Sequence, residues 1–213
     1  MTEEQFGKQF ALRLATRVQR TRKGKKKATI AVVSLSKGAG QTLQGVLDKC
    51  IPDDWIRKSN AVGRLITGKI DDVKQSRYIW ASKGVFREIR DILIHDGDSV
   101  MTVYDKIASV NVHEFAHRLQ KLYPDLDMMF QSIVRRRLRD GGKFIDSQYA
   151  DLYPQKGYIE ALPLSLERLL GQHFDYLRDR PELEVPVWGQ KEFLEKDPEL
   201  AYLTIGVLLR WKE

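Results

Sequence analysis

The pentapeptide His113-Glu114-Phe115-Ala116-His117 says more about chemistry than any other stretch of this chain. Two histidines four residues apart project from the same face of an α-helix, one turn from each other. Both imidazoles can therefore reach a single zinc ion, and the glutamate between them can address water at that ion. The pattern H-E-x-x-H predicts a rigid helix that carries a zinc site.

The flanking residues predict that this helix spans about 102–122. Asp98-Ser99 and Thr102–Asp105 offer N-cap and capping-box chemistry ahead of it. Arg118 suits the negative end of the helix dipole, and Pro124 prevents continuation. Apolar residues recur at helical spacing, namely Val103, Ile107, Val110, Phe115, Leu119 and Leu122. The alternative interpretation is an ordinary amphipathic helix with two incidental histidines.

A third metal ligand has to come from another part of the chain. A catalytic zinc ion commonly takes three protein ligands and keeps its fourth position for water. His95 follows an apolar run that predicts the end of a strand, and His173 follows the run that ends at Leu170. Glu160 opens a second helical pattern, whose proline is tolerable only in a first turn, and from there it can face the motif helix. The spacing alone leaves Glu160 and His173 open.

The remaining patterns predict an α+β fold, mostly helical with a small mixed sheet. The N-terminal segment 1–27 is a basic helical stretch, and residues 28–213 form the main domain. Residues 50–84 form a mixed segment rich in charge and glycine, and residues 140–157 form an irregular loop rich in tyrosine. Strands are predicted at 28–35 and 86–94, and further helices near 41–49, 125–139 and 197–211.

The segment Val85–Ile94 has the alternation and the β-branched content of a strand, at least in its second half. As an edge strand it could bind an extended peptide by strand addition. A buried strand that only supports the fold is the simpler alternative.

Composition restricts the class of protein. The chain has 213 residues, of which 42% are hydrophobic, enough for one large core. A single cysteine, Cys50, excludes an intrachain disulfide and suits a reducing compartment. No apolar run reaches membrane-spanning length, and the N-terminus lacks the apolar core of a signal peptide. We expect a cytoplasmic protein with no membrane partner that is not secreted by a signal peptide.

Positive charge is concentrated in two runs. The formal net charge is +7, and many basic residues fall between Arg13 and Lys27. A second run comprises Arg135-Arg136-Arg137 and Arg139. Such clusters attract phosphate, so nucleic-acid contact through the N-terminal segment is one interpretation. A solvated basic face is the other.

The glycine-rich turn at Ser36–Thr42 does not predict nucleotide binding. A phosphate-binding loop requires G-x-x-x-x-G-K-[ST], and Gln41 occupies the place of the lysine. A connection between a strand and a helix explains these glycines better.

From about Arg77 to Glu213 the chain resembles the zincin-like metallopeptidase domain of bacteriophage minor head and head-morphogenesis proteins. The features that carry the resemblance are a strand followed by Asp98-Ser99, the motif at 113–117, the aromatic segment 144–158, the element Glu160–Arg168 and the closing segment Asp197–Tyr202. The resemblance implies a gluzincin-like zinc site in which Glu160 is the third ligand beside His113 and His117.

The implied activity is hydrolysis of peptide bonds by a zinc metallopeptidase. Glu114 would act as the general base that takes a proton from the attacking water. The implied partners are a protein or peptide substrate and phage structural proteins, in the bacterial host or the virion. Asp151 could orient a ligand imidazole, and the candidate transition-state donors are Tyr149, Tyr153 and Tyr158. The alternative is a non-catalytic head or virion assembly component that keeps the fold and contacts nucleic acid.

Overall fold

The protein is described by a computed structural model that covers residues 28–34, 44, 47, 51–68, 78–80, 87–89, 92–102, 108–145, 157–171 and 188–210. The strands are β1 Val32–Ser34, β2 Leu65–Gly68, β3 Tyr78–Trp80, β4 Arg87–Ile89, β5 Ile92–Ile94 and β6 Ser99–Thr102. The helices are α1 Asp53–Val62, α2 Ala108–Leu122, α3 Pro124–Asp140, α4 Ala161–Leu166, α5 Trp188–Lys196 and α6 Pro198–Arg210. The mixture of helices with a small sheet confirms the α+β class.

The central sheet has four strands in the order β1-β2-β6-β3. β1, β2 and β6 are parallel, and β3 is antiparallel to β6. Side chains alternate between the two faces of the sheet, as the pleat requires. Leu65 and Met101 join the main core on one face, whereas Ile66 and Val100 belong to a smaller cluster with Ile94 on the other.

The predicted strand at 86–94 is instead a pair of short strands outside the central sheet. β4 pairs with β5 in antiparallel register, with Arg87 opposite Ile94. A continuous strand cannot pair with itself, so the prediction of one continuous strand at 86–94 was wrong, although the second half of Val85–Ile94 contains strand β5. Ile94 packs against Ile66 and Val100, which places the end of β5 against the sheet face remote from the main core.

Three elements within 50–84 were not predicted, namely helix α1 and strands β2 and β3. Helix α1 buries Trp55 and Ile56, and strand β2 is at the centre of the sheet. The helix begins with two aspartates and has ten residues, and the sequence interpretation did not assign it. Further upstream, β1 is shorter than the predicted strand at 28–35, and Gln44 and Leu47 are helical, as predicted for 41–49.

Helix α2 ends where the sequence predicted but does not begin there. Thr102 is the last residue of β6, so a helix start near 102 was wrong, and residues 103–107 lie outside the described part. Asp98 does not cap this helix. Its carboxylate accepts hydrogen bonds from the backbone N–H groups of Arg64 and His95 at 2.7 and 3.0 Å. At the other end α2 stops at Leu122, and α3 follows with a proline in its first turn.

Arg118 has a different role from the one predicted. Its side chain is fully buried, and its guanidinium donates to the carbonyl oxygens of Ser59 and Gly63 at 2.6 and 2.7 Å. It also donates to the hydroxyls of Ser59 and Ser99 at 2.7 and 2.5 Å. The charge therefore stabilises the negative end of α1, not that of its own helix, and connects α2 to β6.

The second basic run forms ion pairs within the protein. Arg137 donates to both oxygens of the buried Asp197 at 2.6 and 2.7 Å and to Glu199 at 2.9 Å. Arg136 also pairs with Glu199. These contacts connect α3 to the junction between α5 and α6. Arg139 pairs with the neighbouring Asp140, so at least three of the four arginines in this run have acidic partners.

Several predictions fall on residues outside the described ranges. They concern the basic segment 1–27, the turn at Ser36–Thr42, His173, and the loop residues Tyr149, Asp151 and Tyr153. None of the described helices combines the length and the apolar character needed to span a bilayer.

Candidate metal centre

His113, His117 and Glu160 converge at one point of the structure. Each can offer one ligand atom, and the three atoms lie within 4.8 Å of one another. The Oε2 atom of Glu160 is 3.1 Å from Nε2 of His113 and 3.5 Å from Nε2 of His117. Two ring nitrogens and one carboxylate oxygen therefore face a common centre, and no other such cluster occurs among the described residues.

Two helical segments create this convergence. The histidines lie one turn apart on α2, whose buried Phe115, Ala116 and Leu119 fix the helix in the core. Glu160 closes a 3-10 turn, Gly157–Glu160, which leads directly into α4. Every residue of α4 is buried and the helix packs against α2, so the carboxylate reaches the histidines from a rigid base.

His113 contacts a second carboxylate. Its Nδ1 lies 2.9 Å from Oε2 of Glu167, the first residue of a π-turn that follows α4. Burial alone would lower the pKa of His113. The hydrogen bonds to Glu160 and Glu167, with the charges of Glu167 and Glu114, outweigh burial and raise its pKa to about 10. Burial opposes ionisation of Glu160, yet the two histidines lower its pKa on balance.

His117 has an amide as its partner. Its Nδ1 lies 2.8 Å from Oε1 of Gln120. The amide nitrogen of Gln120 donates to Oδ1 of Asp127 at 2.7 Å and to the carbonyl oxygen of Ile159 at 2.5 Å. Burial raises the pKa of Asp127 in spite of the hydrogen bonds from Gln120 and Gln131.

Glu114 is buried beside this centre. The residue is 3% exposed, and its negative charge contributes to the raised pKa of His113. This position beside the two imidazoles suits a group that receives a proton.

The donor set fits a zinc ion. Bonds of roughly 2.1 Å in a tetrahedron place the ligand atoms about 3.4 Å apart. The two separations from Glu160 Oε2, 3.1 and 3.5 Å, are close to that value. Both Nδ1 atoms are occupied by outer partners, so the Nε2 atoms are the ones directed inwards. The ligand side chains keep 17–21% exposure, which leaves access for water or a substrate.

The structure brings some of the predicted site residues together and separates others. His113, His117 and Glu160 meet, with Glu114 adjacent, whereas His95 is exposed and lies outside the cluster. The sequence interpretation did not assign Glu167, Gln120 or Asp127 to the site. Glu167 follows Glu160 by seven residues, two helical turns, so a search along that face would have found it.

Comparison with known proteins identifies no relative of this chain. No family model matches the chain, and neither the curated proteins nor the solved structures contain a match.

Proposed function

We propose that this chain is a zinc-dependent metallopeptidase in which His113, His117 and Glu160 bind the metal and Glu114 is the general base. The convergence of two ring nitrogens on one carboxylate oxygen, at 3.1 and 3.5 Å, carries the proposal. The zincin type rests on the resemblance of residues 77–213, in which the H-E-x-x-H motif occurs on a helix.

In this proposal His113, His117 and Glu160 bind the metal, and Glu114 transfers protons. A zinc ion at this site supplies Lewis-acid chemistry, activating water and polarising a carbonyl oxygen. Glu114 would accept a proton from the attacking water and return it to the leaving amine. Glu167 and Gln120 keep the two imidazoles oriented while this occurs.

A peptide substrate would need an accessible strand edge near the site. β3 is an outer strand of the described four-stranded sheet and packs against α2, the helix that carries the histidines. This strand, not Val85–Ile94, is the candidate for pairing with an extended peptide. Phage structural proteins are the first substrates to test, because the family resemblance points to them.

The first experiment measures bound metal. Elemental analysis of protein purified with zinc should find one zinc ion per chain in the wild type and a loss in His113→Ala and in Glu160→Ala. His95→Ala is the matched control, since it removes an exposed histidine outside the cluster. Circular dichroism must show that each variant folds. A folded wild type without zinc would refute the metal site.

The second experiment separates catalysis from metal binding. Glu114→Gln should bind zinc as the wild type does but lose cleavage of a denatured protein substrate by roughly 100-fold or more. If the wild type binds zinc and cleaves none of a broad peptide mixture, the peptidase proposal fails. The non-catalytic assembly component would then be the better explanation.

A further inference from the structure

We propose that Gln120 is a positioning residue that fixes the proton of His117 on Nδ1 and so presents Nε2 to the metal. This inference deepens the proposed function and rests on it. It also makes a statement about the metal-free protein that can be tested without zinc.

The amide orientation of Gln120 follows from its neighbours. Its nitrogen faces Oδ1 of Asp127 and the carbonyl oxygen of Ile159, and both of these atoms accept hydrogen bonds. The amide has two N–H bonds, so both are used. The reversed orientation would place Oε1 against two oxygen acceptors, which is unfavourable in a partly buried site.

Asp127 also accepts a hydrogen bond on its far side. Its Oδ2 accepts a hydrogen bond from the amide nitrogen of Gln131 at 2.5 Å. Gln131 in turn accepts one from the guanidinium of Arg135 at 3.0 Å, through its Oε1. A guanidinium can only donate, so donation runs from Arg135 through Gln131 to Asp127 on one side, and Gln120 donates to Asp127 from the other.

The hydrogen bond from His117 to Gln120 fixes the tautomer of His117. Because Oε1 of Gln120 can only accept, the ring nitrogen 2.8 Å away must carry a hydrogen. In the neutral ring the lone pair is then on Nε2, the atom that faces Glu160 at 3.5 Å. Without this contact the ring could carry its proton on Nε2, and that proton would have to leave before a metal could bind.

Gln120 also connects the two segments that carry ligands. Its oxygen contacts His117 on α2, and its nitrogen contacts the carbonyl of Ile159, the residue before Glu160. One amide therefore sets both the ring orientation of a ligand and the distance from α2 to the turn that carries the carboxylate.

The test uses nitrogen-15 NMR on the full chain, metal-free and zinc-loaded. The ring nitrogen shifts of a neutral histidine distinguish a proton on Nδ1 from one on Nε2. His117 is assigned by comparison with His117→Asn. We expect the Nδ1 proton in both states of the wild type. Gln120→Leu should shift metal-free His117 towards the Nε2 proton and weaken zinc binding by roughly 10- to 100-fold.

Two further variants keep the test specific. Gln131→Leu also removes an amide donor from Asp127 but has no contact with His117, so tautomer and zinc affinity should stay as in the wild type. Gln120→Glu combined with Asp127→Asn exchanges the amide and the carboxylate. The new carboxylate can still accept from Nδ1, but its second oxygen faces the carbonyl oxygen of Ile159 without a donor, so this double variant should keep the tautomer and is compared with the wild type on that readout alone.

The outcomes separate this inference from the proposed function. An Nε2 proton in the metal-free wild type, or an unchanged tautomer in Gln120→Leu, would overturn the role of Gln120. Equal losses of zinc affinity in Gln131→Leu and Gln120→Leu would also overturn it, since both variants would then act through Asp127. A wild type that binds no zinc refutes the metal site, yet its tautomer still decides what Gln120 does.

Discussion

Glu160 and Glu167 lie seven residues apart on one continuous helical segment and contact opposite ring nitrogens of His113. Seven residues nearly complete two helical turns, so both carboxylates face α2. The segment changes from a 3-10 turn through α4 to a π-turn, and Glu167 is the first residue of the π-turn. Single π-turns within helices frequently occur at functional sites. Here the two carboxylates restrict the ring of His113 from both sides.

Removing the outer carboxylate should weaken the metal site without removing a ligand. We expect Glu167→Ala to raise the zinc dissociation constant by roughly 10- to 100-fold, measured by competition with a chelator, because His113 loses the group that orients it. Glu167→Gln should raise the zinc dissociation constant by less, since its amide oxygen can still accept a hydrogen bond from Nδ1 of His113. Glu192→Ala is the control, as that glutamate is exposed on α5. Equal affinity in Glu167→Ala and the wild type would contradict the role.

Metal binding should stabilise the folded protein. A ligand that binds only the folded state at 100 times its dissociation constant adds about 2.7 kcal/mol to the free energy of unfolding. The midpoint temperature of thermal unfolding of the wild type should therefore rise on addition of zinc and fall back when a chelator removes the zinc. Glu114→Gln should show the same shift, and His117→Ala should show little. A shift in His117→Ala as large as in the wild type would mean that zinc binds elsewhere.

The site could be predicted from the sequence only in its local part. His113, Glu114 and His117 form one motif on one helix, so their geometry follows from helical spacing. The structure places Glu160 beside them, but the sequence spacing left it open against His173. Separation along the chain carries no information on distance across the fold. Gln120 was missed because its contact depends on the orientation of an amide, which a sequence pattern does not encode.

In the fold as well, features set by neighbouring residues could be predicted from the sequence, whereas features set by distant contacts could not. The end of α2, the start of α3 and the start of α6 follow from prolines and, for α6, from Asp197, which accepts a hydrogen bond from the backbone N–H of Leu200 at 3.3 Å. The parallel strands β2 and β6 pair across more than thirty residues, and each has only four residues. Such pairing depends on tertiary contacts, so β2 was missed and β6 was assigned to the start of a helix.

The buried guanidinium of Arg118 should be essential for stability. We expect Arg118→Met to lower the free energy of unfolding by about 3 kcal/mol or more, because two carbonyl oxygens and two hydroxyl groups lose their donor in a buried place. Urea unfolding followed by circular dichroism measures this. The comparison is Arg139→Met, whose side chain is 74% exposed and pairs only with neighbouring Asp140 among the described residues. The free energy of unfolding of Arg139→Met should stay within about 0.5 kcal/mol of the wild-type value.

The contact between Asp98 and Arg64 should make stability depend on pH in the acidic range. Desolvation opposes ionisation of Asp98, but the guanidinium of Arg64 and the backbone N–H groups of His95 and Arg64 outweigh it and lower its pKa. A carboxyl whose pKa is lower in the folded state contributes stability above its unfolded pKa, about 3.9. That contribution is lost as the pH falls through the folded value, because the protonated carboxyl no longer pairs with Arg64.

Asp98→Asn isolates this contribution from those of the other carboxylates. The variant should be less stable than the wild type at neutral pH, by about 1–3 kcal/mol, because a side chain that is 4% exposed loses its charge-assisted hydrogen bonds. The difference should shrink as the pH falls below about 4, since the wild type then becomes protonated at the same position. Urea unfolding of both proteins between about pH 3 and pH 7 measures it. A difference that stays constant over this range would show that the charge of Asp98 contributes nothing to stability.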